Sequence, residues 1–393
     1  MALDQYYLLG TSGLRVSRLA LGTMNFGTGG YHAAYGKTLD ESRPIFRRYL
    51  DDGGNFVDTA DFYTAGESET IVGRLVAEAK ARDRVVLTTK FTNSVAPGDP
   101  NAGGNGRKHM IRALEDSLHR LGTDYVDLFL LHTWDRLTPV DEVLRTFDDL
   151  VRAGKVRYAG LSDVPSWYAA QAQTLARTQS LTPMINLQLP YSLVERQLEV
   201  EHLPMAQTLG YGITAWSPLG GGFLSGKYRH DAARGGLAGD GRLSTPRRSG
   251  LPPDGTGLAS ARAAGVGRQS TGRDDGAGGR QLGGHSAGIS SAIVGGEQRG
   301  PARVHDGGPG LRAARRAAED PGRGQRRAPE SVYRMFTPPG YQSQLVNAGG
   351  SRSATSPTAT EPSSEIGCRR THDESPRGPG GTAGGLCDVR GIS

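Results

Sequence analysis

The chain has 393 residues, enough for one large domain or two to three ordinary ones. Its formal net charge of +6 is uneven, because residues 1–228 carry 23 Lys and Arg against 25 Asp and Glu, while residues 229–393 carry 23 against 15. The basic part has no aromatic interleaving and no folded basic face, which disfavours nucleic-acid binding.

Both cysteines, Cys368 and Cys387, lie in this basic part, so no disulfide framework is expected to support a core. No apolar run reaches the length of a membrane span. The opening MALDQYY has neither a charged segment nor an apolar one after it, which is not typical of a secretion signal. We therefore expect a cytoplasmic protein.

Short apolar runs alternate with helical patterns from residue 18 onward. Helices are predicted at 107–121 and at 139–154, where Pro139 and Gly154 mark the start and the end. The strands read as continuous apolar runs, typical of parallel strands buried on both faces. They are predicted at 18–24, 55–60, 85–90, 126–132, 156–162, 183–189 and 212–217, with an eighth candidate at 289–294.

Repeated strand–helix units predict either a doubly wound sheet or a (β/α)8 barrel. No G-x-G-x-x-G follows the first strand and opens a helix, so the dinucleotide-binding signature of the doubly wound fold is absent. Seven units and an eighth strand favour the α/β class with a (β/α)8 TIM barrel. The segment YYLLGTSGLRVS, with Gly10 and Gly13 framing a turn, predicts an N-terminal β-hairpin across the bottom of the barrel.

Four titratable residues follow successive predicted strands. Asp58 ends the second strand, Tyr63 lies in the loop after it, Lys90 ends the third strand and His132 ends the fourth. Because the active sites of such barrels form at the carboxyl ends of the strands, these side chains are expected to meet. An ammonium lowers the pKa of a nearby phenol, and a carboxylate can hold that ammonium in place. Together, the phenol, the ammonium and the carboxylate could protonate a developing alkoxide. A histidine would orient the carbonyl, and a cofactor would supply the hydride.

Each of these residues also has an ordinary structural interpretation. Asp58 alone could cap a turn, Lys90 could be a surface lysine, and His132 could be a core histidine. Their joint occurrence at successive strand ends favours the catalytic interpretation. The neighbouring Asp61 is interpreted as a loop acid, and no cluster of ligand side chains has the spacing of a metal site.

Seven segments in this order make the chain similar to the aldo-keto reductases. They are LGTMNFG, NFVDTADFYTAGESE, VVLTTKF, LFLLHTWD, AGLSDV, INLQLPYSL and AWSPLGGGFLSGKY. The resemblance covers residues 6–229, and NAGGNGRKHM together with the last segment resembles the aryl-alcohol dehydrogenase-like branch.

The resemblance implies a catalytic tetrad of Asp58, Tyr63, Lys90 and His132, with Tyr63 as the general acid. It implies that Trp134 lines the substrate pocket. The implied cofactor contacts are Gly22, Thr23, Met24, Asp58, Ser162, Asp163, Gln188, Trp216, Ser217, Pro218, Leu219, Gly220, Leu224, Ser225, Lys227 and Gly295. Asp163 stands where the family more often has asparagine, and Trp216 stands where another aromatic residue is common.

The chain is expected to divide into a barrel at 1–230, an aberrant Gly- and Arg-rich segment at 231–350 and a disordered tail at 351–393. No lysine follows Lys227, and too few large apolar groups are present to offset the chain entropy. The stretch ISSAIVGGEQ (289–298) nevertheless resembles an eighth strand. Either a shifted reading frame over parts of 231–330 or a genuine disordered insertion explains this composition.

The implied function is NADPH-dependent reduction of an aldehyde or ketone to the alcohol. The alternative is a catalytically impaired protein or a cofactor-binding regulatory subunit. The composition of the last part leaves the choice between NADP and NAD open, and the oligomeric state and the particular carbonyl substrate are not predicted.

Overall fold

A computed structural model describes residues 3–30, 35–225, 229–231, 236–238 and 289–295. The strands are β1 (Tyr6–Leu8), β2 (Arg15–Ser17), β3 (Leu19–Gly22), β4 (Phe56–Asp58), β5 (Val86–Phe91), β6 (Val126–Leu131), β7 (Val156–Ser162), β8 (Met184–Pro190), β9 (Gly212–Trp216), β10 (Arg229–Asp231), β11 (Gly236–Ala238) and β12 (Ile289–Gly295). The helices are α1 (Leu39–Asp51), α2 (Glu67–Glu78), α3 (Arg107–Leu121), α4 (Val140–Arg152), α5 (Ser166–Thr178) and α6 (His202–Leu209). Short 3-10 turns cover Tyr63–Gly66, Gln197–Glu199 and Gly220–Ser225.

Eight parallel strands form a closed barrel in the order β12, β3, β4, β5, β6, β7, β8 and β9. β12 closes it, since Gly295 pairs with Gly22 of β3 on one side and Ala292 pairs with Ala215 of β9 on the other. The predicted (β/α)8 barrel and its eighth strand are therefore confirmed. Apart from the short β10–β11 hairpin and β12, residues 231–393 lie outside the described residues, and so do the predictions made for them.

The helix between β5 and β6 shows why the pattern was readable. Met110, Leu114 and Leu118 of α3 recur every four residues and are buried. The helix ends at Gly122, which has a left-handed φ of 64°, the usual helix stop. Its observed bounds match the predicted 107–121, while α4 is slightly shorter than the predicted 139–154.

The interior of the barrel is apolar at its amino end, which we call the floor. Phe56 of β4, Val86 of β5 and Leu128 of β6 pack there with Leu9 and Val16 of the N-terminal hairpin. Leu9 and Val16 are both fully buried, so the hairpin seals this end. The predicted hairpin at the barrel bottom is confirmed.

The turn of the hairpin is held against the start of β9. The amide of Thr11 donates to the carbonyl of Gly210 at 2.9 Å. A Cβ atom on Gly10 would lie 2.5 Å from the carbonyl oxygen of Ile185, so the close approach requires glycine. In the described part of the chain, no helix combines the length and the apolar character that crossing a membrane would require.

Candidate active site

The opposite, carboxyl end of the barrel, which we call the mouth, carries charged groups on the same interior face. Alternate residues of a barrel strand face inward, so Asp58 shares the face of Phe56, and Lys90 shares that of Val86. Asp58 pairs with Thr88 in the ladder, two residues before Lys90. The lysine side chain spans this offset, and its Nζ lies 2.7 Å from Asp58 Oδ1.

Lys90 is fully buried and uses all three of its donors. Besides Asp58, Nζ donates to the carbonyl of Thr59 at 2.7 Å and to the hydroxyl of Tyr63 at 3.2 Å. Burial lowers the pKa of Lys90, but the attraction of Asp58 and Tyr63 outweighs it, and the net shift is upward. The lysine is therefore an ammonium aimed at the phenol.

Burial raises the pKa of Tyr63, whereas the ammonium of Lys90 lowers it; the net shift is upward. The expectation that Lys90 lowers the pKa of Tyr63 is correct for the interaction between these two residues. It is wrong for the net pKa, which also includes the effect of burial. Because only 8% of the residue is exposed, the cost of burying a phenolate prevails. The phenol of Tyr63 therefore keeps its proton at neutral pH.

His132 lies beside this phenol, with its ring centroid 5.7 Å from that of Tyr63 and 5.2 Å from that of Phe62. Nδ2 of Asn93 lies 3.3 Å from Nδ1 of His132. An amide nitrogen only donates, so Nδ1 accepts, and the proton of the neutral ring is on Nε2. Asn93 and Phe62 were not singled out from the sequence, although each lies within three residues of a predicted site residue.

Gln188 of β8 contacts the carboxylate of Asp58. Its Nε2 donates to Oδ2 of Asp58 at 2.8 Å, while Oδ1 holds Lys90. Both carboxylate oxygens are therefore fixed. Predicted as a cofactor contact, Gln188 is placed where it can also orient Asp58.

Asp61 is not an ordinary loop acid. Only 1% of it is exposed, and no side chain among the residues that the structure describes donates a hydrogen bond to its carboxylate. Burial and then the nearby Glu69 raise its pKa well above its usual range, although Arg120 opposes them. The predicted position of Asp61 in a loop agrees with the structure, whereas its burial was not expected from the sequence.

A second polar group follows β7. Asp163 is 4% exposed, and its Oδ1 accepts from Nε1 of Trp216 at 3.0 Å. Burial raises the pKa of Asp163 to about 7, although the Trp216 hydrogen bond and Lys90 act to lower it. The preceding Ser162 has a buried hydroxyl with no hydrogen-bond partner in the described part of the chain.

Residues with left-handed backbone follow three of the barrel strands. Thr92, Asp163 and Ser217 have φ values of 118°, 46° and 56°. Such conformations cost about 1–3 kcal/mol each for residues other than glycine and cluster at functional sites. A buried Lys–Asp–Tyr line, an adjacent histidine and strained strand ends together indicate a catalytic mouth.

Comparison with known proteins shows the family to which the chain belongs. The model of the Aldo/keto reductase family matches residues 18–242, more than half of the chain. The chain belongs to the aldo/keto reductase family.

Three curated relatives give the branch. The oxidoreductase YrpG of Bacillus subtilis is 42% identical over 233 residues, which cover 57% of this chain and 69% of that protein. The norsolorinic acid reductase of Aspergillus flavus is 39% identical over 220 residues, covering 55% and 57% respectively. The aryl-alcohol dehydrogenase GME11368 of Pestalotiopsis microspora is 36% identical over 234 residues, covering 58% and 61%.

The chain thus spans 57% to 69% of the length of these relatives. The matches support the predicted aryl-alcohol dehydrogenase-like branch. The names of these relatives are those of an oxidoreductase, a reductase and a dehydrogenase.

The cofactor contacts predicted near the end of β3 lie in closely packed surroundings. The hydroxyl of Thr23 lies 3.0 Å from the carbonyl oxygen of Asp58 and 2.9 Å from Oγ of Ser68, so it is engaged within the protein. Met24 is half-buried. A Cβ on Gly22 would lie 2.7 Å from Ile293, whereas one on Gly295 would meet nothing within 4 Å.

The turn after β9 is glycine-rich and tightly folded. Ser217 accepts from the amide of Gly221 at 3.0 Å, and Gly220–Gly222 all have left-handed φ values. Leu224 is fully buried beneath it. The turn also contains Pro218 and Leu219; the side chain of Ser225 and all of Lys227 lie outside the described residues.

Trp134, the predicted substrate residue, follows β6 at the mouth. Its ring meets that of Trp167 edge-on at 5.3 Å, and its amide donates to the carbonyl of Asp163 at 3.3 Å. Trp167 itself is 49% exposed. Trp134 and Trp167 therefore form an aromatic pair.

Proposed function

We propose that this chain reduces an aldehyde or ketone to the alcohol with NADPH. The observation that carries the proposal is the position of the Tyr63 hydroxyl, 3.2 Å from an ammonium that Asp58 holds at 2.7 Å. The arrangement supplies a proton donor whose conjugate base is stabilised at the moment it forms.

The protein groups divide the work as follows. Tyr63 donates its proton to the carbonyl oxygen, and Lys90 stabilises the resulting phenolate. Asp58 keeps Lys90 charged and oriented. Nε2 of His132 donates a hydrogen bond to the carbonyl oxygen and thereby fixes the direction of the substrate. A bound reduced nicotinamide supplies the hydride.

The residues around Asp163 suit the carboxamide of a nicotinamide. A primary carboxamide needs an acceptor for its NH2 and a donor for its carbonyl. The carboxylate of Asp163 provides the first, and the unpartnered hydroxyl of Ser162 provides the second. Trp216, held by Asp163, offers an aromatic face for stacking.

Substitution of Tyr63 by phenylalanine tests the proposal. We expect Tyr63→Phe to lower the turnover number about 10²–10⁴-fold with an aromatic aldehyde and NADPH. Cofactor binding, followed by fluorescence titration, should stay unchanged, because the ring remains and only the hydroxyl is lost. Tyr125→Phe is the matched control, since Tyr125 packs against Arg82 and Arg157 away from the mouth.

The same experiment decides between the enzyme and the alternative of a cofactor-binding protein. Soluble wild-type protein that binds NADPH and turns over no carbonyl compound would contradict the proposal. Titration with NADH in parallel tests the coenzyme preference, which rests on the family resemblance alone.

A further inference from the structure

The turn that carries Tyr63 has an unusual backbone. Thr64, Ala65 and Gly66 have consecutive φ values of 49°, 59° and 88°, all left-handed. Two of the three are not glycine, so the turn costs conformational free energy that other contacts must offset. Relaxation of Thr64 or Ala65 to a right-handed conformation would move the neighbouring Tyr63.

A loop after β3, Asn25–Gly30, lies directly on this turn. The hydroxyl oxygen of Thr64 lies 2.7 Å from the carbonyl oxygen of Phe26 and 2.7 Å from that of Tyr63, so its one proton is shared between the loop and the turn. A Cβ on Gly27 would lie 2.4 Å from that hydroxyl oxygen. The base of the loop is fixed as well, because the amide of Gly27 donates to the carbonyl of Lys37 at 2.6 Å.

The side chain of Glu67 forms hydrogen bonds with the Asn25–Gly30 loop. It is the first residue of α2, immediately after the strained turn, and it is half-buried. Its Oε2 accepts from the amide of Thr28 at 2.7 Å and from that of Gly29 at 3.0 Å. Hydrogen bonds to a carboxylate are stronger than neutral ones, and a carboxylate is also favoured at a helix amino end.

We propose that Glu67 is a positioning residue for the general acid. Glu67 accepts hydrogen bonds from the amides of Thr28 and Gly29 and so keeps the loop in contact with the turn. The carbonyl of Phe26 in this loop then stabilises the left-handed conformation of Thr64. The hydroxyl of Tyr63 then stays within hydrogen-bond distance of Lys90. Because Tyr63 acts as the acid only if the proposed function is right, the kinetic consequence rests on that function, whereas the structural consequence does not.

Two substitutions separate this role from a general effect on the helix. Glu67→Ala removes both hydrogen bonds. Glu67→Gln keeps an acceptor oxygen, and since both amides bind the single oxygen Oε2, it should retain both. Glu142→Ala is the matched control, because Glu142 accepts from the amide of Arg107 at 2.8 Å without touching the Tyr63 turn.

The first measurement is amide hydrogen exchange of the peptide that contains Thr28 and Gly29. In Glu67→Ala we expect exchange roughly tenfold faster, because two charge-assisted hydrogen bonds are lost. We expect near wild-type exchange in Glu67→Gln and in Glu142→Ala. Wild-type protection in Glu67→Ala would overturn the proposal.

The second measurement is steady-state kinetics with the same variants. Loosening of the turn should lower kcat about 10- to 100-fold and leave the KM for NADPH unchanged in Glu67→Ala, with rescue in Glu67→Gln. Faster exchange with an unchanged kcat would also overturn the proposal.

A readout that needs no activity is the titration of Tyr63 in protein labelled with ¹³C at the tyrosine ring. If the turn opens in Glu67→Ala, the burial that raises the pKa of Tyr63 is lost, and that pKa falls toward its ordinary value. Should the wild type show no turnover, the proposed function fails, while exchange and titration still decide the role of Glu67. An unchanged Tyr63 titration in Glu67→Ala would refute that role.

Discussion

The side chains at the floor and at the mouth of the barrel are equally buried, but those at the floor are apolar and several at the mouth are charged. Phe56 at the floor is fully buried, and Asp58, two residues further along the same strand and on the same face, is 2% exposed. Lys90 at the mouth is as buried as Leu9 at the floor. Burial alone therefore does not distinguish the two ends, and the residue type decides whether burial stabilises the fold or has to be compensated.

The compensation at the mouth is specific. Burying a charge without a partner costs several kcal/mol, so Lys90 needs each of its three acceptors and Asp58 needs both Lys90 and Gln188. The floor requires no such network, because apolar side chains gain free energy simply by leaving water. The two ends should consequently respond differently to substitution.

The largest expected effect is at the mouth. Lys90→Met keeps the volume and the apolar stem but removes the charge. Asp58 is then buried without its cation, which should lower the free energy of unfolding by about 3–5 kcal/mol. Turnover of the remaining folded protein should fall about 10²–10⁴-fold, since Tyr63 loses the group that stabilises its phenolate.

Denaturant unfolding and steady-state kinetics measure these two losses. Lys155→Met is the control, because Lys155 forms a surface ion pair with Glu115 and is 39% exposed at the side chain. We expect it to change stability by less than about 1 kcal/mol. Equal effects of the two substitutions would remove the distinction between mouth and surface charges.

The floor should lose stability without losing chemistry. Phe56→Ala leaves a cavity among Leu9, Val86 and Leu128, and the expected cost is about 3–5 kcal/mol. Turnover per folded molecule should stay within about twofold of the wild type at a temperature well below the unfolding midpoint, because no contact at the mouth changes. A large fall in kcat at full folding would show that the two ends are coupled through β4.

A smaller effect is expected at Asp163, where the mouth should sense pH. With a pKa of about 7, the carboxyl group is charged above neutrality and neutral below it. A charged acceptor binds N–H groups more strongly, so cofactor affinity should be about fivefold higher at pH 8.5 than at pH 5.5. Asp163→Asn cannot ionise, and fluorescence titrations of this variant should give the same affinity at both values. A wild-type affinity independent of pH would contradict the assignment.

The features readable from the sequence are those with a local pattern. The meeting of Asp58, Lys90 and His132 near Tyr63 was predictable because each marks the end of an apolar run, and strand ends meet at one edge of a barrel. The bounds of α3 were predictable because apolar residues recur at helical spacing and Gly122 stops the helix. In both cases a short segment carries all of the information.

Features that depend on contacts across the barrel were not predictable. The hydrogen bond from Gln188 to Asp58 joins residues 130 positions apart, and the pairing of Asn93 with His132 depends on how two loops cross. The net pKa of Tyr63 was misjudged for the same reason. The sequence shows that a lysine is near, but the extent of burial appears only when the whole mouth is assembled.

The burial of Asp61 was likewise not predictable from the sequence, and it yields the smallest expected effect. Its folded pKa lies well above its ordinary value of 3.8, so the folded protein keeps a proton that the unfolded chain releases. The stabilising effect of this proton is complete below pH 3.8 and is lost as the pH rises toward the folded pKa. Asp163 contributes with the same sign up to about pH 7. Because both carboxyl groups act with the same sign, the pH dependence of the wild type alone does not isolate Asp61.

Asp61→Asn isolates this contribution. The amide cannot ionise, so the stability of the variant relative to the wild type should increase by on the order of 1 kcal/mol as the pH rises from below 3.8, measured by denaturant unfolding at each pH. Asp135→Asn is the matched control, since Asp135 is equally buried but accepts from Asn105, Leu137 and Thr138. An amide there loses acceptors that are in use, and the same substitution should destabilise the protein. Opposite signs at two equally buried aspartates would show that hydrogen-bond partners, rather than burial, decide whether a carboxylate is tolerated at the mouth. Equal signs would contradict that conclusion.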